Sequence, residues 1–276
     1  METALLSYYV VNDSLQSVCD FNPWPLEKGI SVYEVIRVEN GIPLFLKEHL
    51  DRFFQSALLE SKRIPYDKKE VKLRLKALIT ENKFLFGNIK FLYHWPPEGS
   101  GQFLAWIVPF FYPSKEQYQQ GVSVGIMSAE RPNPNAKKAL YALREKADHL
   151  MKEQKNYEVA YISTDGYITE GSRSNLFFIS DGKIITPEVK MVLPGVTRAR
   201  ILELSKVRNI PVLEPKIHPG DMAGYQSCFL TATSMKVLPV SKLGAYHFSV
   251  INPLLMTLIN DYDALCKENK KDFSWD

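Results

Sequence analysis

The sequence predicts an α+β protein of two domains, and three observations carry that prediction. Strand-like alternation and helix-like periodicity are mixed in both halves of the chain. Asn-Gly and Asp-Gly pairs repeatedly separate short apolar runs, as antiparallel hairpins require. Neither G-x-G-x-x-G nor a P-loop is present to mark a doubly wound nucleotide fold.

In chain order, "LSYYVV" and "ISVYEVIRV" read as strands, the second closed by the hairpin signal Glu39-Asn40-Gly41, and "PLFL" reads as a further short strand. Leu46, Leu50, Phe53, Phe54, Ala57 and Leu58 then recur at helical spacing, and a second helix is predicted over 68–82. "NIKFLYHW" and "FLAWIVPFFY" are strands around the loop "PPEGSG". Pro113 and the polar "SKEQYQQ" mark a change of composition, so the expected domains are 1–113 and 121–276, with 114–120 as linker. Beyond it come the strand "VSVGIM", the irregular "RPNPNAKK", and a helix carrying Leu140, Leu143, Ala147, Leu150 and Met151. "VAYIST", "YITE", "NLFFIS" and "KIITP" are strands joined at Asp165-Gly166 and Asp181-Gly182. "TRARILELSKVR" is helical, "SCFLTAT" a strand and "PLLMTLINDYDALCKENK" a terminal helix.

Composition narrows the class. A chain of 276 residues holds one large or two ordinary domains and can bury a real core. The net charge of +3 is small and its cations are interleaved with acids, which argues against a nucleic-acid partner. Cys19, Cys228 and Cys266 lie far apart with no zinc or disulfide spacing, so no metal is expected and a reducing, cytoplasmic setting is. The N-terminus lacks the basic and apolar regions of a leader, the longest apolar run is too short to span a bilayer, and the Asn12-Asp13-Ser14 sequon is read as incidental.

Five features bear chemistry, and each has a bland reading beside it. Glu170, within "DGYITEGSRSNLFFI", is either an exposed acid or a carboxylate fixing a cation in a cleft. Leu193-Pro194-Gly195 leads into a helix whose first turn, Val196 and Thr197, offers backbone N–H groups to a phosphate or is simply an ordinary helix start. Thr231, Thr233 and Ser234 end a strand with hydroxyls that suit an anion, although threonine is common in strands anyway. Arg52 in "HLDR" is a surface cation or a phosphate fork, with His49 beside it read as structural. Lys137 and Lys138 at a helix entry are solvated, or else nucleophilic if one of them faces a cleft among other cations.

Together a lysine, an acid, a helix N-terminus, hydroxyls and an arginine are the set that pyridoxal phosphate requires. With "GISVYEVIRVENGIPLFLKEHLDRFFQSA", "KALYAL", "DGYITEGSRSNLFFI", "VLPGVTRARILEL" and "FLTATS" in this order, the chain resembles the class IV aminotransferases. This fold type IV pyridoxal-phosphate family includes branched-chain aminotransferases, D-amino acid aminotransferases and 4-amino-4-deoxychorismate lyases. The resemblance covers nearly the whole chain and implies a two-domain D-amino acid aminotransferase-like fold, with the Schiff-base lysine and most cofactor contacts in the C-terminal domain.

Matched to the pattern K-x-L-x-x-L, Lys138 becomes the Schiff-base lysine. Leu140 and Leu143 fall at the expected offsets and the interval to Glu170 is close to the family's, with Lys137 the alternative. The resemblance further implies Glu170 on the pyridine nitrogen and Arg52, Val196, Thr197 and Thr233 on the phosphate. Leu193 would pack on the ring and Tyr33 would lie near the reactive side. The implied reaction passes an amino group between an amino acid and a 2-oxo acid, the lysine moving the Cα proton. The lyase uses the same residues to eliminate pyruvate, and a catalytically idle cofactor-binding relative is a third reading, against which the intact lysine and glutamate argue. A homodimer with sites between its domains is also implied.

The chain departs from its relatives in three places. Gly29-Ile30-Ser31 replaces a usual Gly-Asp-Gly. His94 and Trp95 stand near where many relatives have an arginine for the substrate carboxylate, leaving Lys90, whose place resembles that of a lysine in the lyases. Arg173 occupies a position where small residues are common, and Arg173 or Arg37 is the expected substitute anchor.

Overall fold

Alternation of apolar and polar side chains builds the first sheet. In the computed structural model, which describes residues 2–22, 26 and 28–275, six strands pair antiparallel: β1 (Leu5–Val11), β2 (Ser14–Ser17), β3 (Ile30–Glu39), β4 (Ile42–Pro43), β5 (Phe86–Trp95) and β6 (Gln102–Val108). Their order is β2-β1-β6-β5-β3-β4. One face carries Val32, Ile36, Val38, Ile89, Phe91 and Phe103 into a single apolar cluster with Leu50 and Phe53 of α1 (Leu46–Leu59) and Leu75 and Leu78 of α2 (Lys68–Glu81). A reciprocal capping box between Asp67 and Glu70 starts α2. The opposite face is polar yet buried. Register pairs Ser31 with His94, Val35 with Lys90 and Arg37 with Asn88, and the five polar residues among these are each at most 9% exposed.

A second sheet holds β7 (Val122–Ser128), β8 (Glu158–Ile162), β9 (Ile168–Gly171), β10 (Asn175–Ser180), β11 (Lys183–Ile185), β12 (Val212–Leu213), β13 (Ser227–Ala232), β14 (Lys236–Leu243) and β15 (Tyr246–His247). The order is β12-β11-β10-β13-β14-β7-β8-β9, with β15 on β14 and β9 returning to pair with β10. That last pairing, Glu170 opposite Asn175, closes the strands from β10 to β9 on themselves. The helices of this half are α3 (Lys115–Gln120), α4 (Tyr141–Gln154), α5 (Val196–Val207) and α6 (Pro253–Lys271). Leu176, Phe178, Cys228, Leu230, Leu238 and Val240 share its main core.

By contacts the chain divides into Met1–Phe111, Ala136–Ala139 and Cys266–Asp276 in one unit and Tyr112–Asn135 and Leu140–Leu265 in the other. Three sequence expectations change. The 114–120 linker is the helix α3, because Ser114 and Gln117 form a capping box that starts it. "PLFL" is strand only at Ile42–Pro43, since α1 begins at Leu46. The lysine doublet, expected with the C-terminal domain, packs with the first unit: the Tyr33 N–H donates to the Lys137 carbonyl at 3.0 Å and the Ala139 N–H to that of Ser31 at 2.9 Å.

Phe91 is fully buried and meets Phe53 edge-on with ring centroids 4.9 Å apart. Phe91→Ala is expected to cost about 3–5 kcal/mol, read as a lowered midpoint in urea unfolding followed by circular dichroism.

Candidate active site

Glu34 interrupts the apolar alternation Val32-Glu34-Ile36-Val38 and is fully buried. A buried carboxylate requires donors, and α1 supplies them. Arg52 donates from Nε to Oε1 and from Nη2 to Oε2, both at 2.7 Å, and His49 Nδ1 lies 2.8 Å from Oε2. His49 and Arg52, three residues apart, share one helix face. Burial alone would raise the Glu34 carboxyl, but the Arg52 guanidinium and the His49 bond overcome it and hold it at about 2. Burial pushes the His49 imidazole down, with Arg52 and Lys137 adding to the effect, so the ring is neutral and its Nδ1–H donates to Glu34. The same helix face continues to Ser56, whose Oγ accepts the Lys137 N–H at 3.0 Å, and Glu60, whose carboxylate meets Lys138 Nζ at 2.8 Å.

Tyr33 is half-buried on the polar face of the sheet, with Lys90 Nζ and Lys137 Nζ each 4.8 Å from its ring centroid. Lys90 also pairs with Glu2. His94 Nδ1 is 2.8 Å from Ser31 Oγ, and its buried Nε2 has no partner among the described residues. Burial lowers its pKa. Arg37 is four residues along β3 from Tyr33, roughly 13 Å, and is committed to Glu39 at 2.8 Å.

In the second unit Glu170 is 3% exposed. Its Oε1 accepts from Arg131 Nη1 at 3.0 Å and its Oε2 from the Leu193 N–H at 2.8 Å. These two bonds aim the carboxylate. The Leu193 carbonyl accepts from Asn175 Nδ2 at 2.8 Å, and Asn135 holds the Val189 and Val192 carbonyls at 2.7 Å each. Gly195 follows, where a Cβ would overlap the Asn175 side-chain oxygen, and α5 starts with no side-chain cap. Val196 and Thr197 in its first turn are buried, and the Thr197 hydroxyl is 3.2 Å from that of Tyr262.

Register puts these groups in one row. Glu170 is opposite Asn175, and Asn175 is opposite Thr231. Directly paired residues share a face and adjacent strands are ~4.8 Å apart, so Glu170 and Thr231 flank Asn175 across roughly 10 Å. Thr231 is 1% exposed, and its hydroxyl has no partner among the described residues. An acceptor at one end of the row and an orphaned hydroxyl at the other, with the uncapped start of α5 against Asn175, fits a ring nitrogen and a phosphate arm. Thr233 is half-buried in the turn after β13, two residues past the orphaned hydroxyl.

The turn after Glu170 is organised by a second acid. Glu158, fully buried, accepts from Ser172 Oγ at 2.6 Å, Ser174 Oγ at 3.0 Å and the Arg173 N–H at 3.3 Å. The Arg173 side chain, about half exposed, donates from Nη2 to the Tyr157 carbonyl at 3.2 Å. Sequence reasoning does not single out Glu34, Ser56, Glu60, Arg131, Asn175 or Glu158. For Glu34 a signal exists, an acid in the apolar phase of a strand. For Glu60 the helical spacing from His49 through Arg52 and Ser56 is a weaker one.

Solved structures share this fold. The branched-chain amino acid aminotransferase of Escherichia coli matches at a TM-score of 0.84 with 22% identity, covering 98% of this chain and 98% of that one. A putative 4-amino-4-deoxychorismate lyase of Legionella pneumophila matches at 0.76 with 21% identity, covering 86% and 91%. The fold is thus that of the class IV aminotransferases. The family profile for amino-transferase class IV matches residues 31–243, and the chain belongs to that family, whose members depend on pyridoxal phosphate and act on amino acids and 2-oxo acids. The branched-chain-amino-acid aminotransferase of Pseudomonas aeruginosa is 29% identical over 247 residues, 79% of this chain and 77% of that one. The D-alanine aminotransferase of Bacillus licheniformis is 30% identical over 234 residues, 78% and 79% of the two chains. Among the described residues no helix is long and apolar enough to cross a membrane.

The Glu34 cluster makes stability depend on acid. Because the folded carboxyl sits at about 2 and its ordinary value is 4.5, the cluster's contribution is complete above that ordinary value and is lost as pH falls through the folded one. Glu34→Gln should flatten this acid-side decline and destabilise the protein by about 3–5 kcal/mol at neutral pH by removing the buried charge to which Arg52 is paired. Urea unfolding at a series of pH values measures both.

Proposed function

We propose that this protein binds pyridoxal phosphate and transfers an amino group between an amino acid and a 2-oxo acid. The row Glu170, Asn175, Thr231 carries the reading, because it presents a buried acceptor and an orphaned donor on one sheet face beside an uncapped helix start. Glu170, aimed by Arg131 and the Leu193 N–H, would hold the proton on the pyridine nitrogen. Thr231 and Thr233 and the first-turn N–H groups of Val196 and Thr197 would bind the phosphate, and Leu193 would pack on the ring; Arg52 is assigned to the phosphate by the family resemblance alone. When bound, the cofactor supplies an electron-withdrawing ring that stabilises negative charge at the substrate Cα. One amine of the doublet Lys137-Lys138 anchors the cofactor and, once released by substrate, carries the Cα proton.

For the substrate carboxylate the candidates are Lys90 and His94, which flank Tyr33, together with Arg37 and Arg173; Lys90 and Arg37 are each paired to an acid, Glu2 and Glu39, and Arg173 to the Tyr157 carbonyl. The relatives' names put branched-chain amino acids and D-alanine first among donors to try. A homodimer is taken from the family resemblance and is checked by sedimentation. A cytoplasmic setting accords with three free cysteines.

Purified protein is expected to be yellow or to become so with added pyridoxal phosphate, and a protein that stays colourless overturns the reading. Thr231→Val should weaken cofactor binding ~10-fold by deleting a donor to a charged group, whereas Glu170→Gln should retain the cofactor and slow turnover on the order of 10²-fold. A panel of amino donors with 2-oxoglutarate should yield glutamate. Pyruvate release from aminodeoxychorismate would decide for the lyase, and colour without either product for an idle binding protein. Arg173→Ala should leave KM for carboxylate substrates unchanged, and a raised KM would restore Arg173 as the anchor.

A further inference from the structure

The terminal helix α6 supplies nothing to the proposed reaction directly, yet three consecutive residues of it hold the chain segments that would bind the phosphate. Leu255, Leu258 and Tyr262 recur at helical spacing and are each at most 3% exposed, so Tyr262 belongs to the buried face of the helix. Its hydroxyl lies 3.2 Å from that of Thr197, in the first turn of α5, and both side chains are buried. On either side of it, Asp261 pairs with Arg208 at the end of α5 at 2.6 Å, and Asp263 pairs with Lys236, which closes the turn after β13, at 2.9 Å.

That turn, Thr233-Ser234-Met235, joins β13 to β14 with Ala232 opposite Lys236. A three-residue hairpin loop is commonly followed by a left-handed residue, for which glycine is the usual choice, and here Lys236 takes that place with φ 52°. Such a conformation persists where neighbours hold it. Asp263 holds the Lys236 amine, and the Tyr118 hydroxyl of α3 donates to the Met235 carbonyl at 2.9 Å. Since α5 packs on β13, its first turn, the orphaned Thr231 hydroxyl and this hairpin turn lie in one part of the second unit, with α6 as a common support.

We infer that Tyr262 is a positioning residue of the phosphate site and acts through the Thr197 hydroxyl. The inference rests on the cofactor reading above. A hydroxyl has one proton and two lone pairs, so within the Tyr262–Thr197 pair one group donates and the other accepts. A Thr197 that donated to Tyr262 would turn only lone pairs toward an anion. With Tyr262 as the donor, Thr197 accepts at its oxygen and keeps its own proton for a phosphate oxygen, and each of the two bonds polarises the other. Burial of both side chains limits competition from water, so the tyrosine decides which way the threonine proton points.

The test titrates pyridoxal phosphate, and separately pyridoxal, which lacks the phosphate, into the cofactor-free full chain and follows the visible band. Tyr262→Phe keeps the buried ring and deletes only the hydroxyl. It should bind pyridoxal phosphate roughly tenfold more weakly and pyridoxal as tightly as the wild-type protein does. Thr197→Val should show a loss confined to the phosphorylated ligand as well, and the double variant should be no weaker than Thr197→Val alone, because the tyrosine works through that hydroxyl. Equal losses for the two ligands would make Tyr262 a structural residue only. That result, full affinity for pyridoxal phosphate in Tyr262→Phe, or losses that add in the double variant each overturn the inference and leave the cofactor reading intact. A wild-type protein that binds neither ligand overturns both.

Discussion

A buried carboxylate must be surrounded by donors, and that constraint organises both halves of this molecule. The cost of leaving such a group unpaired is several kcal/mol, comparable to a large part of a domain's net stability. Glu34 therefore dictates which face of α1 lies on β3 and which residues occupy it, His49 and Arg52. Glu158 dictates the shape of the turn that follows Glu170, since Ser172, Arg173 and Ser174 all converge on it. Glu170 in turn fixes Arg131 and the Leu193 N–H. None of these acids is stabilising in isolation. Each is an electrostatic demand that only one local geometry meets, so the chain around it has one conformation.

Such demands propagate because they are linked through the backbone. Leu193 donates to Glu170 and accepts from Asn175, and Asn175 sits close enough to residue 195 that only glycine fits there. The start of α5 is thus set by the same contacts that aim the carboxylate. In the first unit the polar stripe of α1 runs from His49 to Glu60 and meets Glu34, the Lys137 N–H and Lys138 Nζ in succession. A helix with one apolar edge and one such stripe can pack on the sheet in only one rotation, which carries the precision a reactive amine needs.

How much of this is legible in the sequence follows from the range of the interactions involved. Long amphipathic segments such as α1 and α2, and hairpins marked by Asn40-Gly41 or Asp181-Gly182, are local matters of periodicity and turn chemistry, and they are where the sequence indicates. The helix α3 is hidden by its polarity, although Ser114 and Gln117 spell out its cap. The strand β14 escapes sequence reading because Pro239 and Lys242 break its pattern, and its partner β13 supplies the pairing that propensity does not. Glu170, Arg52 and the start of α5 are legible as candidates because their residue types are chemically distinctive. Thr231 rather than its neighbours, and Arg131, depend on which strands pair in which register, and that information is non-local.

The same distinction separates what the family shares from what this chain decides for itself. Groups that would hold the ring and the phosphate are backbone donors and closely packed side chains, placed by strand register and a helix start, and they tolerate little change. The face bearing Tyr33, Lys90 and His94 is different in kind. It is polar yet buried, and it includes a histidine nitrogen, Nε2 of His94, with no partner among the described residues. An unsatisfied donor or acceptor there costs stability unless a bound molecule completes it. Substrate choice is therefore expected to reside in this face: discrimination between amino acids of similar size is strongest where a site leaves a buried polar group unpaired in the presence of the wrong one.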